Sequence, residues 1–260
     1  SIEVGSLSAG SNYTISFTGA DFEITEKTLT VTADAKSKVY GETDPALTYQ
    51  SSGLVGTDLL TGELTRIEGD AVGTYAINQG SLSAGSNYTI SFTAANFEIT
   101  KKKLTITADA KSKVYGDSDP ALTYQSSGLV GTDLLTGELT RIEGDAVGSY
   151  AINQGSVSAG LNYAVSYVPA NLTVTAKPLA ITAVANSKIY GETDPKLAYT
   201  TIGLSSGDSL TGSLTRTGDN NVGTYSIEVG SLSAGSNYTI SFTAANFEIA
   251  KKKITVVIGD

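Results

Sequence analysis

The sequence predicts an all-β protein made of tandem small domains, each a β-sandwich. Three observations carry this. Short stretches alternate apolar residues with Thr or Ser, glycine-rich turns separate them, and the whole pattern recurs every 75 residues. Alternation with period two puts successive side chains on opposite faces of a strand, one face buried and the other wet. About seven short strands per period, with regular turn signals, is the pattern of a sandwich.

The period is strict. Lys36-Ser37-Lys38-Val39-Tyr40-Gly41 returns at Lys111 to Gly116, and as Asn186-Ser187-Lys188-Ile189-Tyr190-Gly191. Asn12, Asn87, Asn162 and Asn237 keep the same interval, as do Leu29, Leu104, Leu179 and Ile254. Three repeats follow, residues 26–100, 101–175 and 176–250, with boundaries near Lys27, Lys102, Lys177 and Lys252. Residues 1–25 nearly duplicate 226–250 and read as the C-terminal part of a preceding repeat. Residues 251–260 read as the first strand of a following one, so a longer array is expected. A solenoid unit is roughly 20–50 residues; this period suits a small domain with its own core.

Within the first repeat the elements come in order. Leu29-Thr30-Val31-Thr32-Ala33 opens it as a half-buried strand. The turn Gly41 to Pro45 follows, with Asp44 before Pro45 as a turn former. Leu47 and Tyr49 alternate with Thr48, and Gly53 to Gly62 turns the chain again. Thr57-Asp58-Leu59-Leu60-Thr61 is the one candidate helical turn, and a real helix there would instead mean a β-grasp-like roll. Leu64 follows, then the turn Glu68 to Gly73 and the strand Tyr75-Ala76-Ile77. Ser83 to Asn87 turns into Tyr88, Ile90 and Phe92, and Phe97 and Ile99 close the repeat.

Gly73-Thr74-Tyr75-Ala76-Ile77 recurs around Tyr150 and Tyr225. It is similar to the tyrosine corner of immunoglobulin domains, in which a Tyr hydroxyl bonds to backbone upstream. The fold class is therefore read as small Ig-like β-sandwiches. Taken together, Leu-Thr-Val-Thr-Ala, Lys-Val-Tyr-Gly-Glu-Thr-Asp-Pro-Ala-Leu-Thr-Tyr, Val-Gly-Thr-Tyr-Ala-Ile and Ser-Ala-Gly-Ser-Asn-Tyr-Thr-Ile-Ser-Phe resemble the MBG domain of the Tyr-Gly-x type over the entire chain. The resemblance implies tandem modules of very large bacterial secreted or cell-surface proteins, many adhesin-like. It implies no catalytic residues and no particular ligand. Tyr40, Gly41, Asp44, Pro45, Arg66, Gly73, Tyr75, Asn87 and Tyr88 are expected to act structurally.

Composition excludes several chemistries. The chain has no Cys and no His, which rules out zinc fingers, thiolate nucleophiles, Ser-His-Asp triads and iron–sulfur clusters built from its own side chains. A net charge of −9 disfavours nucleic acid, whose binding needs clustered Lys and Arg to release counterions. Hydrophobic residues make up 40%, too many for disorder, yet no apolar run approaches the ~20 residues of a membrane span.

Candidate chemistry is thin. Glu42, Asp44, Asp58, Glu68 and Asp70 are the carboxylates of one repeat. Calcium needs six to eight oxygens from converging loops, and no EF-type loop is present; no cofactor is expected, with calcium the alternative. The third repeat has Val184 where its neighbours have Asp34 and Asp109. Arg66, Arg141 and Arg216 are the only arginines. Parity puts Arg66 on the face of Leu64, so its stem should pack while its head pairs locally, with Asp58 the expected partner, rather than bind a ligand. A Lys38–Asn96 isopeptide cross-link is disfavoured because buried charge partners are not evident. Asn87-Tyr88-Thr89 matches a glycosylation sequon but serves as a turn.

No enzyme is expected. The preferred function is a stalk that projects a distal binding module, its partners being adjacent repeats of the same chain. The alternative is a multivalent binding module that gains avidity by repetition. Only Thr100-Lys101-Lys102-Lys103 separates Ile99 from Leu104, and the next connector is Thr175-Ala176-Lys177-Pro178. Connectors of this length reach at most ~14 Å, so an elongated, semi-rigid array is expected, with the lysines as a solvated collar.

Overall fold

A computed structural model describes residues 1–258. Among these residues there are 21 strands and no helix. By internal contacts the chain divides into two compact units. The first holds Ser1–Lys103 together with Val130–Thr132 and Gly160–Ala164. The second holds Leu104–Leu129, Asp133–Ala159 and the chain from Val165 onward.

In the first unit the strands are β1 (Lys27–Ala33), β2 (Lys36–Val39), β3 (Tyr49–Ser52), β4 (Thr65–Arg66), β5 (Gly73–Asn78), β6 (Tyr88–Thr93) and β7 (Ala95–Thr100). They make a three-stranded sheet, β3-β1-β6, and a four-stranded sheet, β2-β7-β5-β4. β1 runs antiparallel to β3, with Ala33 opposite Tyr49, and parallel to β6, with Leu29 opposite Ile90. β7 runs parallel to β2, with Ile99 opposite Lys38, and antiparallel to β5, with Phe97 opposite Tyr75. Leu29, Val31 and Ala33 point inward while the intervening threonines face solvent. They pack with Leu64, Ile77, Leu82, Tyr88, Phe97 and Ile99 into one core drawn from both sheets. Each large side chain so buried stabilises the repeat by about 1.5–3 kcal/mol.

The second unit repeats the plan. The remaining strands are β8 (Lys102–Ala108) and β13 (Tyr163–Val168), whose first two residues each count with the first unit, and β9 (Lys111–Val114), β10 (Tyr124–Ser127), β11 (Thr140–Arg141), β12 (Gly148–Asn153), β14 (Ala170–Thr175), β15 (Lys177–Ala183), β16 (Asn186–Ile189), β17 (Tyr199–Ile202), β18 (Thr215–Arg216), β19 (Gly223–Glu228), β20 (Tyr238–Thr243) and β21 (Ala245–Ala250). β11-β12-β14-β9 form the four-stranded sheet of the second repeat; β17-β15-β20 and β16-β21-β19-β18 are the two sheets of the third. The third core again joins both sheets through Leu179, Ile181, Leu214, Ile227, Phe247 and Ile249.

Three readings change. Residues 57–61 form no helix: the chain turns at Gly56 and Thr57, and Thr61 bridges to Ser83. Gly56 and Gly62 take positive φ on either side, which a continuous helix does not allow, so the β-grasp-like alternative falls. The strand expected at Leu47–Tyr49 starts at Tyr49 and runs on through Ser52, because pairing with β1 rather than apolar alternation sets its length. β2, with two lysines in four residues, was not anticipated as a strand.

The fourth change is the most instructive. Residues 1–25 differ from 226–250 only at Gly19, Asp21 and Thr25, which are Ala244, Asn246 and Ala250 in the later copy. The later copy contains β20 and β21; residues before Lys27 form no strand. Phe22 is 70% exposed and its counterpart Phe247 is fully buried. β20 and β21 are held by β15, β16 and β19, and strand formation depends on such partners more than on intrinsic preference. Hydrogen exchange should separate the copies: amides of Ile240–Phe242 are expected to be protected while those of Ile15–Phe17 exchange near the unfolded rate.

Candidate functional site

Each repeat carries a polar cluster, its cations buried and its carboxylates toward solvent, built around β2 and the loop after it. Lys38 projects inward from β2, its side chain only 7% exposed, and its Nζ lies 2.7 Å from Asp44. Arg66, at the end of β4, donates through Nε to the other Asp44 oxygen at 2.5 Å. Pro45 disfavours helical backbone at Asp44 and so helps hold its carboxylate in this extended loop. Arg66 Nη1 also donates to the carbonyls of Ile67 and Gly69, both at 2.8 Å, and its guanidinium stacks 4.8 Å from the Phe97 ring. Asp70 completes the group at 3.5 Å from Lys38. Two cations therefore meet two carboxylates.

The second repeat matches, with Lys113, Asp119, Arg141 and Asp145. In the third, Asn220 stands where Asp145 stands. Its Oδ1 accepts from Arg216 at 2.5 Å and Lys188 at 3.2 Å, which keeps the geometry but loses one negative charge. Asp58, the partner expected for Arg66, is engaged elsewhere: it accepts from Tyr88 at 2.6 Å. Sequence parity found the buried face of Arg66 but gave no means of choosing among three loop carboxylates.

The Tyr75 hydroxyl donates to the Ala71 carbonyl at 2.8 Å, as Tyr150 does to Ala146 and Tyr225 to Asn221. This ties the Glu68–Gly73 turn to β5. Gly73 opens β5 opposite Ile99. Gly69 is required sterically: its φ is +150°, and a Cβ there would lie 2.3 Å from the Tyr75 ring.

The Tyr-Gly loop reaches beyond its own repeat. Within the second unit, Tyr115 packs edge-on against Tyr238 with ring centroids 5.5 Å apart. Its hydroxyl donates to Asp208 at 3.1 Å, and this bond, with burial, pushes the Tyr115 hydroxyl pKa above its usual range. Tyr238 also donates to Asp208 while accepting from the Ser205 amide at 3.0 Å. Nearby, the Val147 amide donates to the Asn237 side chain at 2.9 Å, and the Asn237 carbonyl accepts from Lys177. Within the first unit, Tyr40 packs on Tyr163 and the Val72 amide donates to Asn162. Gly41, at φ +83°, approaches Val130 so closely that a Cβ would sit 2.5 Å from its methyl.

Tyr163 and Tyr238 thus each meet the Tyr-Gly loop of the repeat before them, and Asn162 and Asn237 its tyrosine-corner turn; Asn87 and Tyr88 are their counterparts in the sequence of the first repeat. Sequence reasoning named these residues without bringing them together; Tyr40 packs at the margin of its own repeat's core and also on Tyr163, a pairing that local pattern does not announce. The connector lysines are not all solvated, since Lys177 Nζ bonds to Ser205 Oγ at 2.9 Å.

Among the described residues no group of three or more acidic side chains is placed to hold a metal ion. Asp44, Asp58 and Asp70 already face cations or hydroxyls. Asn96 is exposed on the outer face of β7, away from Lys38. Nor does Lys113 suit amide formation with the neighbouring Asp119. That reaction needs a neutral amine and a protonated acid, whereas hydrogen bonds from Arg141 and Lys113 hold Asp119 at a pKa of about 2, and the bonds to Asp119 and Asp145 raise Lys113 above its ordinary value.

The same shift makes the fold acid-sensitive. Asp44 and Asp194 are lowered too, first by their arginine and then by their lysine. Between the ordinary 3.8 and about 2, the folded chain binds fewer protons than the unfolded one. The clusters' contribution is therefore full above that window and lost as pH falls through it. The melting temperature should drop across this range, and Asp119→Asn should lower it at pH 6 while flattening the second repeat's share of the acid transition.

The sequence profile of the MBG domain (YGX type) matches residues 29–98, 104–173 and 179–248. No curated protein matches the chain. With its matched segments covering most of the sequence, the chain belongs to the MBG domain (YGX type) family, in three tandem copies.

Proposed function

We propose that these repeats form a stalk segment of a large secreted or cell-surface bacterial protein, holding a distal binding module away from the surface. The observation that supports this best is the direction of the strands. In each repeat the second strand pairs in parallel with the last, β2 with β7, β9 with β14 and β16 with β21. Chain direction is therefore conserved from the incoming to the outgoing end, and one repeat leads into the next after a single residue, Lys101 or Ala176. On this reading the pair of sheets in each repeat is an Ig-like sandwich, the Tyr-Gly loops limit swivelling, and the array is extended. It works outside the cell without catalysis, without nucleic acid and without a resident metal. Small-angle scattering checks the mechanical part: an elongated profile is expected, and a compact one would remove the stalk. Chelator should leave the melting temperature unchanged; a rise of several degrees in millimolar calcium would instead call for a site.

One observation favours the alternative of a binding module. The third repeat has an open cleft of about 800 Å3 whose lining includes Lys196, Tyr199, Arg216 and Asn220. A glycan or matrix ligand taken up by the chain, and lost on Tyr199→Ala, would shift the reading toward adhesion.

A further inference from the structure

Two ladders in each repeat join its incoming segment to its outgoing one. In the first repeat β1 pairs in parallel with β6 from Lys27↔Tyr88 to Thr32↔Thr93. β2, begun only two residues later, pairs in parallel with β7 from Lys36↔Phe97 to Val39↔Thr100. The third repeat keeps both ladders, β15 with β20 and β16 with β21. The incoming pair and the outgoing pair thus lie side by side and run the same way.

This arrangement fixes how a pulling force acts. Tension between the two ends draws β1 and β2 backward along their axes and β6 and β7 forward. Parallel partners pulled this way slide against each other, so the bonds of a ladder resist together. Antiparallel partners pulled from adjacent ends would be peeled one bond at a time. A single net hydrogen bond contributes little; losing several in one step raises the barrier far more than losing them in sequence. Forced unfolding follows that barrier and not the equilibrium stability.

Further contacts oppose sliding of β2. Its Lys38 is anchored on Asp44, off the ladder. The Tyr40 amide extends the ladder to the Thr100 carbonyl at 2.9 Å, and Thr100 Oγ1 donates back to the Lys38 carbonyl at 3.2 Å. Thr175 makes the same strap to Lys113. The third repeat has Ala250 at that position and cannot make it, and its Asn220 replaces an ion-pairing Asp.

We propose that each repeat is a tension clamp, in which the two parallel ladders between its first and last strands resist extension of the chain in shear, the third repeat being the weakest. The stalk reading supplies the circumstance in which tension arises; the clamp itself rests on topology alone.

The absence of cysteine makes the test clean, because introduced thiols are unique handles. Single-molecule pulling of the whole chain from its ends should give three separate unfolding steps. In the first repeat, handles at Thr25→Cys and Lys101→Cys pull in shear, and handles at Thr43→Cys and Lys101→Cys peel β2 from β7. The peeling force should be lower by about twofold or more, since about one bond resists at a time. In the third repeat Ala250→Thr should raise the shear force. Equal forces in the two geometries, or a peeling force above the shear force, would overturn the clamp. Elongated scattering with equal forces would leave the stalk standing without it; compact scattering with a large force difference would do the reverse.

Discussion

Each repeat is closed by strands distant in sequence. Leu29 lies beside Ile90 and Lys38 beside Ile99, so neither sheet is complete until the end of the repeat has met its beginning. The core depends on the same closure, because Leu29 and Val31 come from one end and Phe97 and Ile99 from the other. Residues 1–25 show the force of this constraint. They have the composition and alternation of β20 and β21, yet they form no strand, and no strand among the described residues pairs with them as β15, β16 and β19 pair with the later copy.

The polar cluster is a second closure laid over the first. Lys38 occupies an inward position in a strand that ends against Thr100, and a buried ammonium is tolerated only with a carboxylate in contact. Asp44 supplies it and is shared with Arg66, which brings the loop after β2 onto the end of β4. The third repeat keeps this geometry with Asn220, so the shape of the group is retained at a different charge.

Much of the fold was legible in the sequence, and what was not has a physical reason. Strands with an apolar face, such as Leu29–Ala33 and Tyr88–Phe92, announce themselves through period two. β2 does not, because its inward side chain is Lys38 and its fitness for burial lies in Asp44, in the loop beyond the strand, and in Asp70, farther along the chain. The extension of β3 through two serines is imposed by β1. Tyr75 could be assigned to its turn because donor and acceptor sit four residues apart. Tyr115 could not be assigned to Asp208, because that pairing crosses from one repeat to the next and local pattern has no reach over such a distance. The same limit hid the partner of Arg66.

Long-range closure also bears on how the chain is assembled during synthesis. β1 can pair early with β3, but its other edge must wait until β6 has been made, and contacts of this separation form slowly. Meanwhile Tyr-Thr-Ile-Ser-Phe-Thr is available more than once: it stands at residues 13–18, in β6 and again in β20. A waiting first strand can mispair with the wrong copy, a characteristic failure of tandem repeats. The second repeat breaks the series with Tyr-Ala-Val-Ser-Tyr-Val in β13. The second repeat thus offers a closing strand unlike those of the repeats on either side of it, which makes exchange with them harder, whereas residues 13–18 and β6 are neighbouring copies of one string.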